Sequence, residues 1–369
     1  MLRVLLDART LSDHFPGIGR YTFHLAQALR ARDDVHITLL VNPHGINTRF
    51  SLSSLNVQQI PFPYSPFQLT GQIALWRLLA IIREGAFNVY HAPYYLYPYA
   101  IPLPVVVTAY DTIPQRIPQA FSPVQRCIIR GLKTVAFRRA RHILAISRST
   151  AEDIRRFYRV PPHRITVTPL APPPAFQPAP PEAQSAFRRR YHLPSRYGVY
   201  VGSDKVHKNL PFLLKVWERF SQHMPPDTAC LVVVGPHQKR TSWPRGVVRL
   251  GFLPEEELPL LYSSARVFVF PSLWEGFGLP PLEAMACGTP VLCSDIPPLR
   301  ETIGEGGLLL PLDNVDAWVE ALIVLWKQDE EWRIWQERAL SRARAYSWQQ
   351  TAAATVAGYY RAMGETASP

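Results

Sequence analysis

The sequence predicts an α/β protein built of two parallel-sheet domains, and three observations carry that prediction. The first is the stretch 265–294, ARVFVFPSLWEGFGLPPLEAMACGTPVLCS, which reads as strand, loop, helix and strand. Arg266 to Phe270 is a β-branched and aromatic run stopped by Pro271, and Val291 to Cys293 is the next short apolar run. Between them, Pro280 and Pro281 fit a first helical turn, where a missing N–H costs nothing. Gly288 suits the left-handed position just past a helix end. A strand–helix–strand unit of this length is parallel and right-handed. The second observation is that short apolar runs alternate with helix-periodic stretches along the chain. The third is PLAPPPAFQPAPPEAQ, in which proline density excludes helix and interior strand. It marks a semi-rigid linker, residues 171–184, between a first domain of 1–170 and a second of 185–346.

Composition bounds the answer. The 369 residues give room for two domains, and a hydrophobic fraction of 47% supplies a core for each. No apolar run approaches the roughly 18 residues needed to span a bilayer. The opening MLRVLLDAR meets Asp7 too early for a signal peptide and reads as a first strand. Cys127, Cys230, Cys287 and Cys293 stand in apolar surroundings without metal-ligand spacing, as free thiols in a reducing cytoplasm would. Net charge is +12, and residues 1–168 hold 20 Lys and Arg against 8 Asp and Glu. The whole excess lies there, which suggests an anionic partner for that half: membrane surface, nucleic acid or polyanionic substrate.

Taken in order, residues 2–7 form a strand, followed by a loop and a helix running to about Arg32. Gly17 and Gly19 sit just before that helix, as either a phosphate or sugar loop or an ordinary turn. Val35 to Val41 is a second strand, residues 45–70 a surface excursion, and 69–83 a helix with Leu75, Leu78, Leu79 and Ile82 on its core stripe. Residues 88–98 and 105–114 are strands followed by loops, with His91 and Asp111 in or near the loops. Pro123 to Ile143 reads as an amphipathic helix, Arg126, Arg130, Lys133 and Arg141 on one face, Ile128, Leu132, Val135 and Ile143 on the other. A strand, an N-cap at Ser147 or Ser149 and a helix follow, and Ile165 to Thr168 closes the domain. In the second domain, strands are expected at Val199 to Val201, 230–236 and 247–254, with a helix starting near Asn209. Helices occupy 316–345, and a last one runs from about Trp348 to Met363.

In an open parallel sheet, ligands bind outside the carboxyl ends of the strands, at helix N-termini. Glu275-Gly276-Phe277-Gly278 falls there, and its glycines allow close approach to backbone N–H groups. Glu275 and Glu283 beside a phosphate site make sense if the ligand also carries hydroxyls, as a sugar and a ribose do. The stretch EGFGLPPLEAMACGTPV, two Glu separated by seven residues, resembles the donor site of retaining glycosyltransferases of family 4, also called glycosyl transferases group 1. That resemblance covers almost the whole chain. It implies the GT-B fold: two Rossmann-like parallel-sheet domains facing each other across a cleft, with a C-terminal helix, 347–364, crossing back onto the first. It also implies roles. Glu275 would hold donor sugar hydroxyls, Glu283 the ribose, and Gly276, Phe277, Gly278 and Leu279 the diphosphate together with Lys208, in the stretch VGSDKVHKN. Relatives often carry Arg after the Gly or before the Lys, where Ser203 and His207 stand here. The nucleobase would meet the loops at Gly235 and Gly251 to Leu253. The opening D-A-R…G-I-G-R-Y is similar to that of mannosyltransferase-like members, whose Gly17–Gly19 loop faces the donor.

Many relatives carry a His-Asp pair at the position of Tyr110-Asp111, so Asp111 is a catalytic candidate and Tyr110, with His91, an acceptor-side one. A phenol can hydrogen-bond an acceptor hydroxyl but is a poor base near neutral pH. The reaction implied is transfer of a hexose, with retention, from a nucleotide-diphosphate sugar to a hydroxyl of a glycan or lipid-linked acceptor. The opening motif leans the donor toward GDP-mannose. No resident cofactor is expected, no nucleic acid, and, because no Asp-x-Asp occurs, no metal. An anionic membrane surface is the expected further partner, with the protein peripheral on the inner face of the membrane. Two rivals stand beside this reading: a nucleotide-sugar epimerase of GT-B fold, and a non-catalytic module binding a nucleotide sugar or glycan.

Overall fold

The computed structural model describes residues 1–12, 16–47, 49–66, 68–81, 85–99, 101–225, 228–236 and 243–364. The chain divides into two units, Met1–Leu170 with the stretch from Ser347, and Ala171–Tyr346. In the first, β1 (Leu2–Asp7), β2 (Val35–Val41), β3 (Gln58–Pro61), β4 (Val89–Ala92), β5 (Val105–Ala109), β6 (His142–Ala145) and β7 (Ile165–Val167) form one sheet. Its order is β3-β2-β1-β4-β5-β6-β7 and all its pairings are parallel. Because side chains alternate across a strand, the two faces separate cleanly. Leu5, Tyr90, Val105, Val107 and Ile143 pack with Leu75, Leu79, Phe137, Ile154 and Tyr158, from the helices Leu69–Ile81, Pro123–Arg139 and Arg148–Tyr158. The other face receives the helix Trp348–Met363, capped by Ser347, whose hydroxyl accepts from Gln350 N–H. Gly358 lets that helix lie against β6, since a Cβ there would come within 2.6 Å of Leu144 Cδ2.

His91 belongs to this packing and not to a loop. It lies in β4, wholly buried, with Nδ1 2.7 Å from the Tyr359 hydroxyl and Nε2 2.8 Å from Thr108 Oγ1. The expectation that it faces the acceptor is therefore corrected: both ring nitrogens are engaged inside the first unit. The strand β3 was hidden in the excursion 45–70 because its side chains, QQIP, are mostly exposed at a sheet edge and lack an apolar signature. The helix 69–83 is seen from Leu69 to Ile81, and Ile82 and Arg83 lie outside the described residues.

The amphipathic helix is shorter and rotated relative to expectation. It ends at Arg139, so Arg141 follows it and Ile143 sits in β6. Lys133 is buried, its ammonium donating to the Asp111 carbonyl at 2.8 Å, whereas Ile128 and Val135 are exposed. A capping box, Ser122 with Gln125, fixes its start.

In the second unit, β8 (Gly198–Val201), β9 (Leu231–Val234), β10 (Val247–Gly251), β11 (Val267–Phe270), β12 (Val291–Ser294) and β13 (Leu308–Leu310) form a parallel sheet of order β10-β9-β8-β11-β12-β13. The proline-rich stretch departs from a bare linker. Ala171 and Phe176 are buried, Phe176 against the Tyr262 ring, and a helix, Pro181–Arg190, begins inside it with Pro181 in the first turn, where proline is tolerated.

Burial penalises the imidazolium, so the His91 pKa falls from 6.5 to about 3. The unfolded chain protonates near 6.5 and the folded one only near 3, so this contribution to stability is complete above pH 6.5 and is lost as pH falls through that window. His91→Gln should therefore flatten the pH dependence of unfolding free energy between pH 6.5 and 4, by up to about 1.4 kcal/mol per pH unit. Denaturant titrations across that range measure it; an unchanged slope would remove His91 as its source.

Candidate active site

The strand order of the second unit reverses between β8 and β11, and such a reversal leaves a crevice at the carboxyl ends of the two strands. The segments leaving those ends carry Lys208 and Glu275. Lys208 Nζ donates to Glu275 Oε1 at 2.7 Å, and both side chains are mostly buried. The ammonium also lies 4.7 Å from the centroid of the Phe270 ring. The two loops are tied by backbone as well, Leu273 N–H donating to the His207 carbonyl at 2.7 Å. Asn209 turns the chain through the left-handed region, φ 53°, and the helix Leu210–Ser221 starts there. Sequence order alone thus places Lys208 and Glu275 67 residues apart, and the parallel sheet brings them into contact.

Glu275 leads into Gly276, Phe277 and Gly278, and then into the helix Leu279–Ala286. Gly278 has φ 99°, and a Cβ there would lie 2.4 Å from Leu299 Cδ2, so both backbone and space demand glycine. No side chain caps the helix, and Pro280 and Pro281 carry no N–H, which confines its amino-end donors to the residues up to Leu279. Phe277 is buried, its carbonyl accepting from Thr302 Oγ1 at 2.6 Å and its ring edge-on to Tyr346. Glu283 sits one turn into the helix, 2% exposed, with the Tyr262 hydroxyl donating to it at 3.3 Å.

The remaining candidates of this unit divide. Ser203 lies in the turn after β8, its carbonyl accepting from the Tyr200 hydroxyl at 3.1 Å. Tyr200, which the sequence reading passed over, also presses on Gly202, where a Cβ would fall 2.6 Å from that hydroxyl. Gly235, φ 125°, follows β9, and its N–H donates to the Gly251 carbonyl at 2.7 Å. Leu253 is buried, whereas its neighbour Phe252 is 67% exposed, so Phe252 is the side chain that the stretch Gly251 to Leu253 presents at its surface.

In the first unit the order reverses between β1 and β4. Asp7 ends β1 there, buried, and is held by Arg9 Nε at 2.7 Å, Arg9 Nη2 at 2.6 Å and the Tyr90 hydroxyl at 2.5 Å. Arg9 and Tyr90 were not legible as a site, although D-A-R at a strand end was the available signal. Gly17 and Gly19 stand inside the first turn of the helix Pro16–Arg30, not before it. A Cβ on Gly19 would come 3.1 Å from the Phe50 ring, while Gly17 has open space. Tyr110 and Asp111 follow β5. The Tyr110 hydroxyl is buried without a hydrogen-bond partner, and burial drives its pKa well above the ordinary range. Asp111 accepts from Ile113 N–H at 3.1 Å and lies 3.5 Å from the Lys133 ammonium. His91 is not brought to this group.

Comparison with known proteins agrees with this fold. Residues 16–171 match the family described as Glycosyltransferase Family 4, and residues 195–328 the family described as Glycosyl transferases group 1. The chain is 29% identical to O-antigen chain mannosyltransferase B of Escherichia coli, over 97% of this chain and 99% of that one. It is 31% identical to the O-antigen chain mannosyltransferase RfbU of Salmonella typhimurium, over 58% of this chain and 59% of that one. Among solved structures, sucrose-phosphate synthase from Thermosynechococcus elongatus superposes with a TM-score of 0.74 at 20% identity, covering 96% of this chain and 98% of that one. Anabaena HepE, in complex with UDP and glucose, gives 0.73 at 16% identity, over 97% of this chain and all of that one. With both halves matched and two parallel Rossmann-like sheets in place, the chain belongs to glycosyltransferase family 4 and is a glycosyltransferase of GT-B fold.

Proposed function

We propose that this enzyme transfers a mannosyl residue, with retention, from GDP-mannose to a hydroxyl of a glycan or lipid-linked acceptor, and that it does so without a divalent metal. The observation that carries the reading is the Lys208–Glu275 pair at the reversal of the second sheet, beside the Gly276–Leu279 turn. A nucleotide diphosphate sugar needs cationic and amide donors for its phosphates and acceptors for its sugar hydroxyls, within a few ångströms of one another. Lys208 and the amides supply the first, Glu275 the second. Because the ion pair already holds both side chains, little reorganisation accompanies the charge that develops on the leaving diphosphate. Glu283 is assigned the ribose hydroxyls. The mannosyl donor is supported by relatives described as O-antigen mannosyltransferases, and a polymeric glycan acceptor by the same descriptions. Asp111, ordered by Lys133 and Ile113, is the carboxylate assigned to the acceptor hydroxyl, with Tyr110 beside it. Metal independence rests on the absence of Asp-x-Asp from the sequence.

A membrane partner is part of the reading. No helix among the described residues is long and apolar enough to cross a membrane. The helix Pro123–Arg139, however, exposes Val124 at 67%, Ile128 at 55% and Val135 at 42%. Their spacing of four and seven residues puts them on one stripe, and Arg130, Arg138 and Arg139 are exposed on the same helix. An apolar stripe among arginines fits the headgroup region of an anionic bilayer, where a lipid-linked acceptor resides.

Two measurements follow. With GDP-mannose and a mannan-type acceptor, wild type should release GDP and extend the glycan in the presence of EDTA. Lys208→Ala and Glu275→Ala should each lose about a hundredfold in kcat, roughly 3 kcal/mol, while their melting curves stay close to wild type. A changed sugar nucleotide without transfer would instead mark an epimerase, and binding without turnover a binding module. In vesicle co-sedimentation, changing Val124, Ile128 and Val135 together to Ser should reduce binding to anionic vesicles at least tenfold, at about 0.8 kcal/mol per methylene withdrawn. Binding that survives this change would rule out the helix as the membrane contact.

A further inference from the structure

At the end of the first sheet opposite to Tyr110 and Asp111, a cavity of about 780 Å³ opens at the amino ends of β5, β6 and β7. It is walled by Arg138, Arg139, Arg141, His163, Arg164 and Arg361, and among the described residues no carboxylate lines it or pairs with these arginines. Gathering like charges in a concavity without counterions is unfavourable unless an anion compensates them.

Two of the guanidiniums are held in place by the protein. Arg164 Nη2 donates to the carbonyls of Phe137 at 3.0 Å and Arg138 at 3.2 Å, and to that of Ala140, closing the carboxyl end of the helix Pro123–Arg139. Arg361 Nη1 donates to Thr166 Oγ1 at 2.6 Å. That hydroxyl is also hydrogen-bonded to His142 Nε2 at 2.7 Å, so the buried His142 orients the arginine through the threonine. His142 is kept neutral there: burial first, then the charges of Arg361, Arg164 and His163, lower its pKa to about 4. Arg138, Arg139 and Arg141 are exposed, with side chains that donate to no protein group among the described residues. The arrangement is a fixed pair of guanidiniums flanked by three that are free to close on a ligand. Planar, five-donor guanidinium matches phosphate oxygens two at a time, and preorganised donors lose less entropy on binding. The volume exceeds what one inorganic phosphate fills and falls in the range of small-molecule sites.

We propose that this cavity is a second anion site, separate from the donor crevice, which binds a phosphate-bearing ligand carrying at least two negative charges. Its ligand is either a soluble phosphate ester or the headgroup of a phospholipid, and the chemistry is common to both. The site rests on the first unit alone and stands whether or not the donor is GDP-mannose.

The test uses full-length Lys208→Ala protein, in which phosphate capture at the donor crevice is weakened, with and without Arg138→Gln and Arg141→Gln. Sodium pyrophosphate is titrated calorimetrically at constant ionic strength, and in parallel the proteins are sedimented with phosphatidic acid vesicles. For the vesicle arm, both proteins also carry the Ser substitutions at Val124, Ile128 and Val135. Saturable pyrophosphate binding weakened at least tenfold by the two arginine changes supports the site and assigns a soluble ligand. The same loss seen only with vesicles supports it and assigns a headgroup, and loss in both arms supports a phosphate site that admits either source. If the two changes alter neither arm, or if equimolar chloride reproduces the pyrophosphate response, the proposal is overturned. Should the double variant fail to fold, Arg139→Gln, at an exposed position, makes the same comparison.

Discussion

The contact between Lys208 and Glu275 joins the two segments that leave β8 and β11, and three features of the fold exist around it. The sheet must reverse its order between β8 and β11, because only there do the exits of two adjacent strands diverge and leave room for a ligand. The loop after β11 must bend through Gly278, where a side chain would strike Leu299. Phe277 must be anchored, and Thr302 and Tyr346 do that from the helix and the loop beyond. An ion pair this withdrawn from water gains from attraction about what it forfeits in hydration, so it adds little net stability. Its value is positional. Removing either partner therefore releases the other side chain toward water, at little cost to the fold.

Most of this was legible because the signals were local. Residues 265–294 read correctly as strand, loop, helix and strand, since the proline pair, the glycine past the helix and the two apolar runs lie within one window. Ser147, one of the two capping candidates, caps the helix Arg148–Tyr158, and the last helix runs from Trp348 to Met363 as read, both of them short-range patterns. What escaped depends on distant partners. His91 looks like a loop residue from its neighbours, yet Tyr359, 268 residues away, receives it in the core. Lys133 looks like one of four surface cations until Asp111, 22 residues earlier, is placed beneath it. The amphipathic helix was turned the wrong way for the same reason. Burying Lys133 rotates Ile128 and Val135 outward, against the usual preference for apolar residues inside. The edge strand β3 escaped because an exposed, polar strand offers no periodicity to detect.

That outward rotation changes the meaning of the first unit's charge. A helix that buried its aliphatic residues and displayed only arginine would hold an anionic surface by attraction alone, and screening would release it within a Debye length of about 8 Å at physiological salt. A helix that displays valine and isoleucine with arginine nearby adds burial of apolar surface, which salt does not screen. The buried lysine meanwhile does separate work on Asp111 at the carboxyl end of β5.

The two ends of the first sheet are therefore electrostatically unlike. At the carboxyl ends, charges are balanced in place: Asp7 by Arg9, Asp153 by Arg116, Asp111 by Lys133. At the amino ends of β5 to β7 the arginines have no carboxylate partner among the described residues, around a cavity and beside the carboxyl end of the exposed helix. Parallel strands make this division possible, since every strand delivers its amino end to one side and its carboxyl end to the other. Excess positive charge placed at the amino side is kept the length of a strand away from Asp111, which follows the carboxyl end of β5. An anion drawn to the amino side would therefore not meet the groups gathered at the carboxyl ends.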